Sequence, residues 1–334
     1  MLRRRSKALG IVILLAGGAL VGPLSAQEPA WILVERARAA YERRDLTQAM
    51  DVLLDAVEID NEYPEAEYWL GQVYQAQGQA LLAEEQYRRS LDLALYLRVP
   101  EDRIVITYAL AELLLDLGDE RMAEAESLLA GIADEEGASR PDVIAREHRY
   151  MRVLTDEGLD ELAFLYRDEL TKSLKARRYL GELAWESGRY RSAALNSARS
   201  VLSMLSTASR RYRADHPEWR FDIDPVEDPQ NPDRDVRYPG DADGTTDLLD
   251  RIYAEDGAAS RWLDSEGLWS QLYLLASALY AEGYEETARS VWGLMIEADD
   301  GTGVEKPSER AGRWGRLALS QVREPFIPVG SLSP

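Results

Sequence analysis

A zinc site based on histidine, or a Ser-His-Asp triad, would have to use His148 or His216, the two histidines of this sequence. His148 lies in the segment REHRY of a predicted helix, and His216 directly precedes Pro217. The chain has no cysteine, which excludes disulfides, thiol nucleophiles and cysteine-based metal sites. No nucleophile elbow, paired-histidine zinc motif or phosphate-binding loop is present. The sequence therefore predicts a protein that is not an enzyme and has no catalytic residue, bound metal or cofactor.

The acidic segment 214–246 is the part of the chain best suited to bind a cation. Four residues match places three, five, six and twelve of an EF-hand calcium loop: Asp241, Asp243, Gly244 and Asp250. The first place falls on Pro239, which has no ligating side chain, and the last place holds Asp instead of Glu. A solvated acidic loop without a metal is the alternative interpretation, and the incomplete ligand pattern favours it.

Net charge restricts the class of partner. The formal net charge is −21, from 60 acidic and 39 basic residues. A chain this acidic repels nucleic-acid backbones and anionic lipid surfaces. The composition therefore disfavours nucleic acid and favours a protein partner with basic and apolar side chains.

The N-terminus has the pattern of a secretory signal peptide over residues 1–26. A basic stretch containing Arg3 and Lys7 precedes an apolar run from Leu9 to Val21, and Ala26 is a small residue at the expected cleavage site. The apolar run is short for a membrane span, so no span is expected after cleavage. An uncleaved N-terminal membrane anchor is the alternative. Either interpretation predicts an extracytoplasmic protein of a bacterium, periplasmic or secreted.

An internal period is the strongest feature of the sequence. A turn residue, usually glycine, precedes an alanine by five positions in six places: Arg44/Ala49, Gly78/Ala83, Gly118/Ala123, Gly158/Ala163, Gly188/Ala193 and Gly283/Ala288. A tight turn between two antiparallel helices needs a residue that tolerates left-handed backbone, and the helix crossing needs a small side chain. After Gly118, a second register is open, with Ala125, Leu129 and Ile132 facing the core. One hairpin cannot bury both of its faces, so the pattern predicts stacked hairpins.

The period resembles the tetratricopeptide repeat. Residues 64–93 match its pattern at Leu70, Gly71, Tyr74, Gly78, Ala83, Tyr87 and Leu91. Further units resemble it at 31–61, 177–201 and 270–298, and less closely near 105–133 and 142–172. Several units in series indicate a repeat array. The resemblance implies an all-α fold, a right-handed α-solenoid of stacked antiparallel helix hairpins, with a partner bound in a concave groove.

The predicted organisation has one interruption. The second helix of the fifth unit runs on through Leu205 towards Tyr212, and prolines then prevent a continuous helix. Short helices are expected at Leu248–Tyr253 and, as a cap, at 308–323. The expected parts are a signal peptide at 1–26, about five hairpins at 27–213, a Pro/Asp/Gly-rich loop insertion at 214–246, a C-terminal hairpin with flanking and capping helices at 247–324, and a tail at 325–334.

The resemblance also assigns a partner-binding groove to the first helix of each hairpin. The candidate residues are Tyr41, Tyr68, Gln72, Gln75, Tyr108, His148, Trp185, Tyr273 and Tyr280. Spacings of seven place such residues on one helical face, and an aromatic and acidic groove suits apolar and Lys/Arg side chains. If the register slips by one residue, several of these aromatics belong to the core between repeats. The predicted function is a protein-binding scaffold of the cell envelope; the alternative is an accessory or ligand-binding subunit of a transport or polymer-secretion system.

Overall fold

The computed structural model describes residues 28–133, 141–166, 173–216, 226–228, 231–236, 244–298 and 304–328. The first ten helices are α1 (Ala30–Glu42), α2 (Leu46–Ile59), α3 (Pro64–Ala76), α4 (Ala80–Asp92), α5 (Asp102–Asp116), α6 (Asp119–Ala133), α7 (Pro141–Glu157), α8 (Leu159–Tyr166), α9 (Leu174–Glu186) and α10 (Tyr190–Asp215). They are followed by α11 (Gly244–Glu255), α12 (Gly257–Ser265), α13 (Leu268–Ala281), α14 (Glu285–Gly293) and α15 (Gly312–Arg323). Two small antiparallel hairpins pair β1 (Val226–Asp228) with β2 (Asn231–Val236) and β3 (Ile296–Ala298) with β4 (Glu305–Pro307). The fold is an all-α solenoid of helix hairpins, as predicted.

The turns of the hairpins lie where the sequence predicts them. All six turn residues have left-handed backbone: Arg44, Gly78, Gly118, Gly158, Gly188 and Gly283, with φ between 64° and 102°. Arg44 is the one turn residue of these six that is not glycine. Its left-handed backbone is uncommon for a residue with a side chain, whereas glycine adopts it without strain. This arrangement brings each second helix back antiparallel to the first.

Small residues then allow the paired helices to pack closely. The alanines at five of the six predicted crossings are buried: Ala49, Ala83, Ala163, Ala193 and Ala288. Ala123 is the exception, because it is exposed while Ala125, Leu129 and Ile132 are buried. The second register is therefore correct for α6. The small buried residue of this helix lies seven positions after the turn glycine, compared with five in the other second helices.

The order of stacking differs from the order of the sequence. Hairpins α1–α2, α3–α4 and α5–α6 pack in series, but α6 then packs directly against α9. One apolar cluster joins α5 and α6 to α9, through Ala111, Leu129, Ile132, Ala176, Leu180 and Leu183. Hairpin α7–α8 lies outside this series and packs beside α10 and α11. The weaker unit near 142–172 forms a helix hairpin, but this hairpin does not pack between its neighbours in the sequence.

A buried arginine explains why α9 lies against α6. Arg177 on α9 is only 3% exposed. Its Nη1 donates to Asn196 Oδ1 on α10 at 3.0 Å, and its Nη2 donates to the carbonyl of Ala133 at 3.0 Å. Ala133 is the last residue of α6, where carbonyl groups lack helical partners and attract a cation. The guanidinium of Arg177, on a neighbouring hairpin, thus donates a hydrogen bond to the C-terminal carbonyl of α6.

The hairpin α7–α8 fixes the helices that follow the insertion. Asp160 on α8 accepts a hydrogen bond from the backbone N–H of Thr245 at 2.9 Å, and thereby caps α11 from outside. Gly244 has φ of 77°, and a Cβ there would lie 2.4 Å from Asp160 Oδ2. Thr287 on α14 donates to the carbonyl of Thr155 at 3.3 Å. The displaced hairpin therefore contacts both α11 and α14.

The helices around the insertion agree with the sequence predictions. Helix α10 extends past Tyr212 to Asp215, α11 contains the segment Leu248–Tyr253, and α15 lies within 308–323. The short strands β1 and β2 fall inside the segment expected to be a loop. Asp241 and Asp243 of the calcium-loop pattern, and the N-terminal signal pattern, lie outside the described residues.

We expect Arg177→Met to lower the free energy of unfolding by about 2–4 kcal/mol, because it leaves Asn196 Oδ1 and the Ala133 carbonyl without their charged donor. Arg178→Met is the matched control, since Arg178 is half-buried and lies 3.5 Å from Glu266. It should cost less than about 1 kcal/mol. Urea unfolding followed by circular dichroism measures both, and equal losses would contradict the role given to Arg177.

Candidate functional site

Four aromatic side chains of the first two hairpins form an aromatic cluster. The ring of Trp69 lies 5.6 Å from Tyr41 and 5.4 Å from Tyr68, with edge-to-face geometry in both pairs. The ring of Tyr68 lies 6.0 Å from Tyr87. Tyr87 is fully buried, whereas Tyr41, Tyr68 and Trp69 are half-buried. Helices α1 and α3 therefore present a rigid aromatic surface of the kind that gives much contact area at small entropic cost.

The two glutamines of the site are held by the tyrosine at the base of the cluster. The hydroxyl of Tyr87 accepts from Gln72 Nε2 at 2.7 Å and donates to Gln75 Oε1 at 2.7 Å. The ring reaches this position because Gly71 has no side chain: a Cβ there would lie 2.4 Å from Tyr87 Cε1. Gln72 and Gln75 remain half-buried, so their amides are oriented but still partly open to solvent.

Burial keeps the hydroxyls of Tyr68 and Tyr87 protonated. It raises the pKa of Tyr87 far above its usual value, with further contributions from Tyr68 and Tyr41. Burial also raises the pKa of Tyr68, and the nearby carboxylates of Asp102 and Glu112 add to the shift. The cluster is therefore uncharged up to alkaline pH, and it offers hydrogen-bonding groups and aromatic faces.

A polar seam continues the surface from α5 to α9. Glu112 on α5 accepts a hydrogen bond from the Tyr179 hydroxyl at 2.8 Å and forms an ion pair with Lys175. The ammonium of Lys175 lies 5.4 Å from the ring centre of Tyr108, and the Tyr108 hydroxyl accepts from the Ala176 N–H at 3.0 Å. A lysine of the chain thus occupies the same aromatic and acidic surroundings that the sequence predicts for a partner's basic side chain.

Two predicted groove residues lie in the core, which corrects that part of the prediction. Trp185 is 4% exposed and Tyr273 is 1% exposed. Trp185 belongs to one apolar cluster with Tyr150 and Leu154 of α7. Tyr273 is enclosed because α13 is buried on all sides from Leu268 to Leu279. For these two residues the alternative interpretation, core between repeats, describes the structure.

The remaining two predicted residues lie apart from the aromatic cluster. Tyr280 is half-buried, its ring lies 5.8 Å from Trp292, and its hydroxyl donates to the Pro325 carbonyl at 3.4 Å. His148 is exposed on the displaced hairpin. It lines a cavity of about 460 Å³ together with Glu147, Met151, Gly188, Arg189, Tyr190, Arg191, Ser192, Leu195 and Glu282.

Sequence reasoning did not include four residues that build the site. Trp69 follows Tyr68 directly. Moving the predicted row of groove residues by one position along α3 places Trp69 in the groove. Glu112 lies one helical turn after Tyr108, which is a recognisable signal for a shared face. Lys175 and Tyr179 could not be paired with Glu112 from the sequence, because the expected order placed α7–α8 between them.

Within the described ranges, no three His, Asp or Glu residues lie close enough together to hold a metal ion. No helix of that part of the chain has the length and apolar character needed to cross a membrane.

Comparison with known proteins identifies the repeat. A family model described as TPR repeat matches residues 37–78, which include Tyr41, Tyr68, Trp69, Gln72 and Gln75. An uncharacterized protein of Treponema pallidum (strain Nichols) is 24% identical over 245 residues, which cover 70% of this chain and 57% of that protein. A solved structure described as Assembly Chaperone of RpL4 (Acl4), residues 1-338, is 18% identical with a TM-score of 0.31, over 89% of this chain and 98% of that chain. The chain thus spans only 57% of the length of its curated relative.

Residues 37–78 are thus similar to the TPR repeat, and the structure consists of stacked helix hairpins. Helical repeat arrays present extended surfaces that are used to bind other proteins. The fold therefore supports a protein-interaction scaffold with a protein partner.

We expect Gly71→Ala to destabilise the protein by about 1–3 kcal/mol, because the new methyl group displaces the Tyr87 ring and breaks its bonds to Gln72 and Gln75. The matched control is Gly131→Ala, at a helical glycine with nothing within 4 Å of the added Cβ. That change should be neutral or stabilising by up to about 1 kcal/mol. Thermal unfolding of both variants measures the difference, and a neutral Gly71→Ala would refute the close packing.

The buried tyrosines also predict loss of stability at alkaline pH. Burial raises the pKa of Tyr87 and Tyr179 in the folded state, whereas unfolded tyrosine ionises near about 10. Their contribution is complete below that pH and falls as pH rises above it, because only the unfolded chain releases the protons. Tyr87→Phe with Tyr179→Phe should reduce the slope of unfolding free energy between about pH 10 and 11. Tyr96→Phe, at an exposed position, is the control; an unchanged slope in the double variant would contradict the prediction.

Proposed function

We propose that this chain is a non-catalytic scaffold of the bacterial cell envelope, which binds a peptide or helix of a partner protein along α1, α3 and α5. The observation that carries the proposal is the half-buried surface of Tyr41, Tyr68 and Trp69 with the oriented amides of Gln72 and Gln75. This surface lies within the residues matched by the repeat model. Aromatic and amide groups fixed by their neighbours bind a partner without a further ordering cost.

The chemistry of the surface favours a partner with basic and apolar side chains. The net charge of −21 attracts cations at long range. At short range, Lys175 shows that an ammonium is accommodated between Tyr108 and Glu112. Apolar side chains of the partner would cover the rings of the aromatic cluster, where most of the binding energy is expected.

The location in the envelope is proposed from the N-terminal sequence. The basic stretch and the apolar run of residues 1–26 support export to the periplasm or beyond. A membrane anchor formed by the same residues, left uncleaved, is the alternative form of this proposal.

A second candidate function is an accessory or ligand-binding subunit of a transport or polymer-secretion system. The observation that favours it is the cavity of about 460 Å³ between α7 and the turn before α10. Glu147, His148, Arg189 and Glu282 give this cavity both acidic and basic groups. Its size is within the range of small-molecule pockets.

The test is capture of the partner by a C-terminally tagged full chain, expressed in native cells so that any processing occurs there. The groove variant is Glu42→Arg with Ala76→Arg, since both residues are exposed, and Ala76 lies one helical turn after Gln72. It adds bulk and positive charge without removing a core side chain. We expect recovery of the partner to fall at least about tenfold, as for the loss of one good contact at an interface.

Ala123→Arg, at an exposed alanine on α6, is the matched control and should keep full recovery. Equal recovery by the groove variant and the control would reject binding along α1 and α3. If neither wild type nor control retains a protein, thermal shift with small envelope metabolites tests the second candidate, and Glu147→Gln should abolish any shift that the cavity produces.

A further inference from the structure

The last helix carries a basic stripe on its exposed face. Arg316, Leu317 and Arg323 are exposed, and Leu317 keeps 39% of its surface open. Arg313 continues the stripe one turn earlier, and no acidic residue occurs between Arg310 and Arg323. The chain as a whole is acidic, with 60 acidic and 39 basic residues. An exposed excess of arginine is complementary in charge to an anionic surface.

Packing on the opposite side of α15 fixes the direction of this stripe. Gly315, Ala318 and Gln321 are buried, and a Cβ on Gly315 would lie 2.9 Å from the Met295 carbonyl. Gln321 donates from Nε2 to the Tyr273 hydroxyl at 3.0 Å and accepts from the Phe326 N–H at 2.9 Å. Helix α15 therefore cannot rotate to hide its arginines, and the basic stripe stays at the surface.

The first hairpin carries a stripe of the opposite charge. On α2, Asp51, Leu54, Asp55 and Glu58 are exposed, and Leu54 keeps 50% of its surface open. Helix α2 contains no basic residue, and its other face is fixed by buried Ala49, Leu53 and Ala56. In the part of the chain that the structure describes, none of the three carboxylates has an ion-pair partner. The acidic stripe therefore consists of three exposed carboxylates around an exposed leucine.

The two stripes match each other in charge, length and apolar content. Helix α15 has 12 residues and α2 has 14, so each spans about 20 Å. Each stripe places one exposed leucine beside three like charges on adjacent helical turns. Within one molecule the stripes lie far apart along the stack, because α2 packs on α1 and α3 while α15 packs on α13 and α14.

We propose that the basic stripe on α15 of one copy packs against the acidic stripe on α2 of a second copy. The leucines Leu317 and Leu54 meet at the centre, and the arginines pair with carboxylates around them. The contact is heterologous, so each bound copy leaves one stripe unused, and copies join head to tail into chains or rings. Neither stripe includes a residue of the aromatic cluster or the polar seam, so this assembly is independent of the proposed partner groove.

Sedimentation velocity of the purified full chain tests the proposal. At about 0.05 M salt the wild type should form oligomers that increase with protein concentration, and about 0.5 M salt should dissociate them. Two charge-reversal variants keep the fold, because only exposed side chains change: Asp51→Arg with Asp55→Arg, and Arg316→Glu with Arg323→Glu. Each variant alone should associate at least about tenfold more weakly, since like charges then face each other.

Mixing the two variants supplies the decisive result. Each stripe of one variant is then opposite in charge to a stripe of the other, so the mixture should recover oligomers with equal amounts of both. The control is Asp116→Arg with Glu186→Arg, which makes the same change in net charge as Asp51→Arg with Asp55→Arg, at exposed sites elsewhere, and should assemble like the wild type. A wild type that stays monomeric at low salt, or a mixture that stays monomeric, would overturn the proposal. Loss of assembly in the control would show a general charge effect and overturn it as well.

Discussion

The arrangement of this solenoid depends on the buried guanidinium of Arg177. A charged group that is 3% exposed must have polar partners, and here they come from two other helices, Ala133 at the end of α6 and Asn196 on α10. With α9 held against α6 in this way, α5 and α9 are neighbours. The contacts of Glu112 with Lys175 and Tyr179 follow directly. Hairpin α7–α8 lies outside this series and packs beside α10 and α11.

The displaced hairpin acquires a structural role of its own. Its Asp160 caps α11, and its Thr155 carbonyl accepts from Thr287 on α14, so it contacts two helices that follow the long segment after α10. Its Tyr150 and Leu154 belong to the same apolar cluster as Trp185. The hairpin α7–α8 thus holds α11 and α14 through hydrogen bonds. The sequence of a repeat unit specifies a hairpin, but the neighbours of that hairpin depend on contacts distant in the chain.

Local features of the fold could be predicted from the sequence, and features that depend on distant contacts could not. The turns at Arg44 and the five glycines follow from backbone conformation within a few residues, and the alanine crossings follow from helical periodicity. Helical periodicity within one repeat also predicts four residues of the site: Tyr41, Tyr68, Gln72 and Gln75. The order of the stack could not be found, because it depends on hydrogen bonds between residues 44 positions apart. The burial of Tyr273 could have been predicted, because the sequence of α13 has no polar stripe and a helix of that kind is buried on all sides.

The two kinds of surface on this chain use different physical interactions. The aromatic cluster offers uncharged ring faces, and burial keeps the hydroxyls of Tyr68 and Tyr87 protonated, so apolar contact with these rings depends little on salt. The stripes on α2 and α15 depend on exposed charges, which salt screens over about 8–10 Å. A chain with a net charge of −21 repels other copies of itself at long range, and opposite charge must therefore be concentrated at one end for copies to associate. Concentrating arginine on a helix that packing prevents from rotating satisfies this requirement, and it keeps these charges on a surface separate from the aromatic cluster.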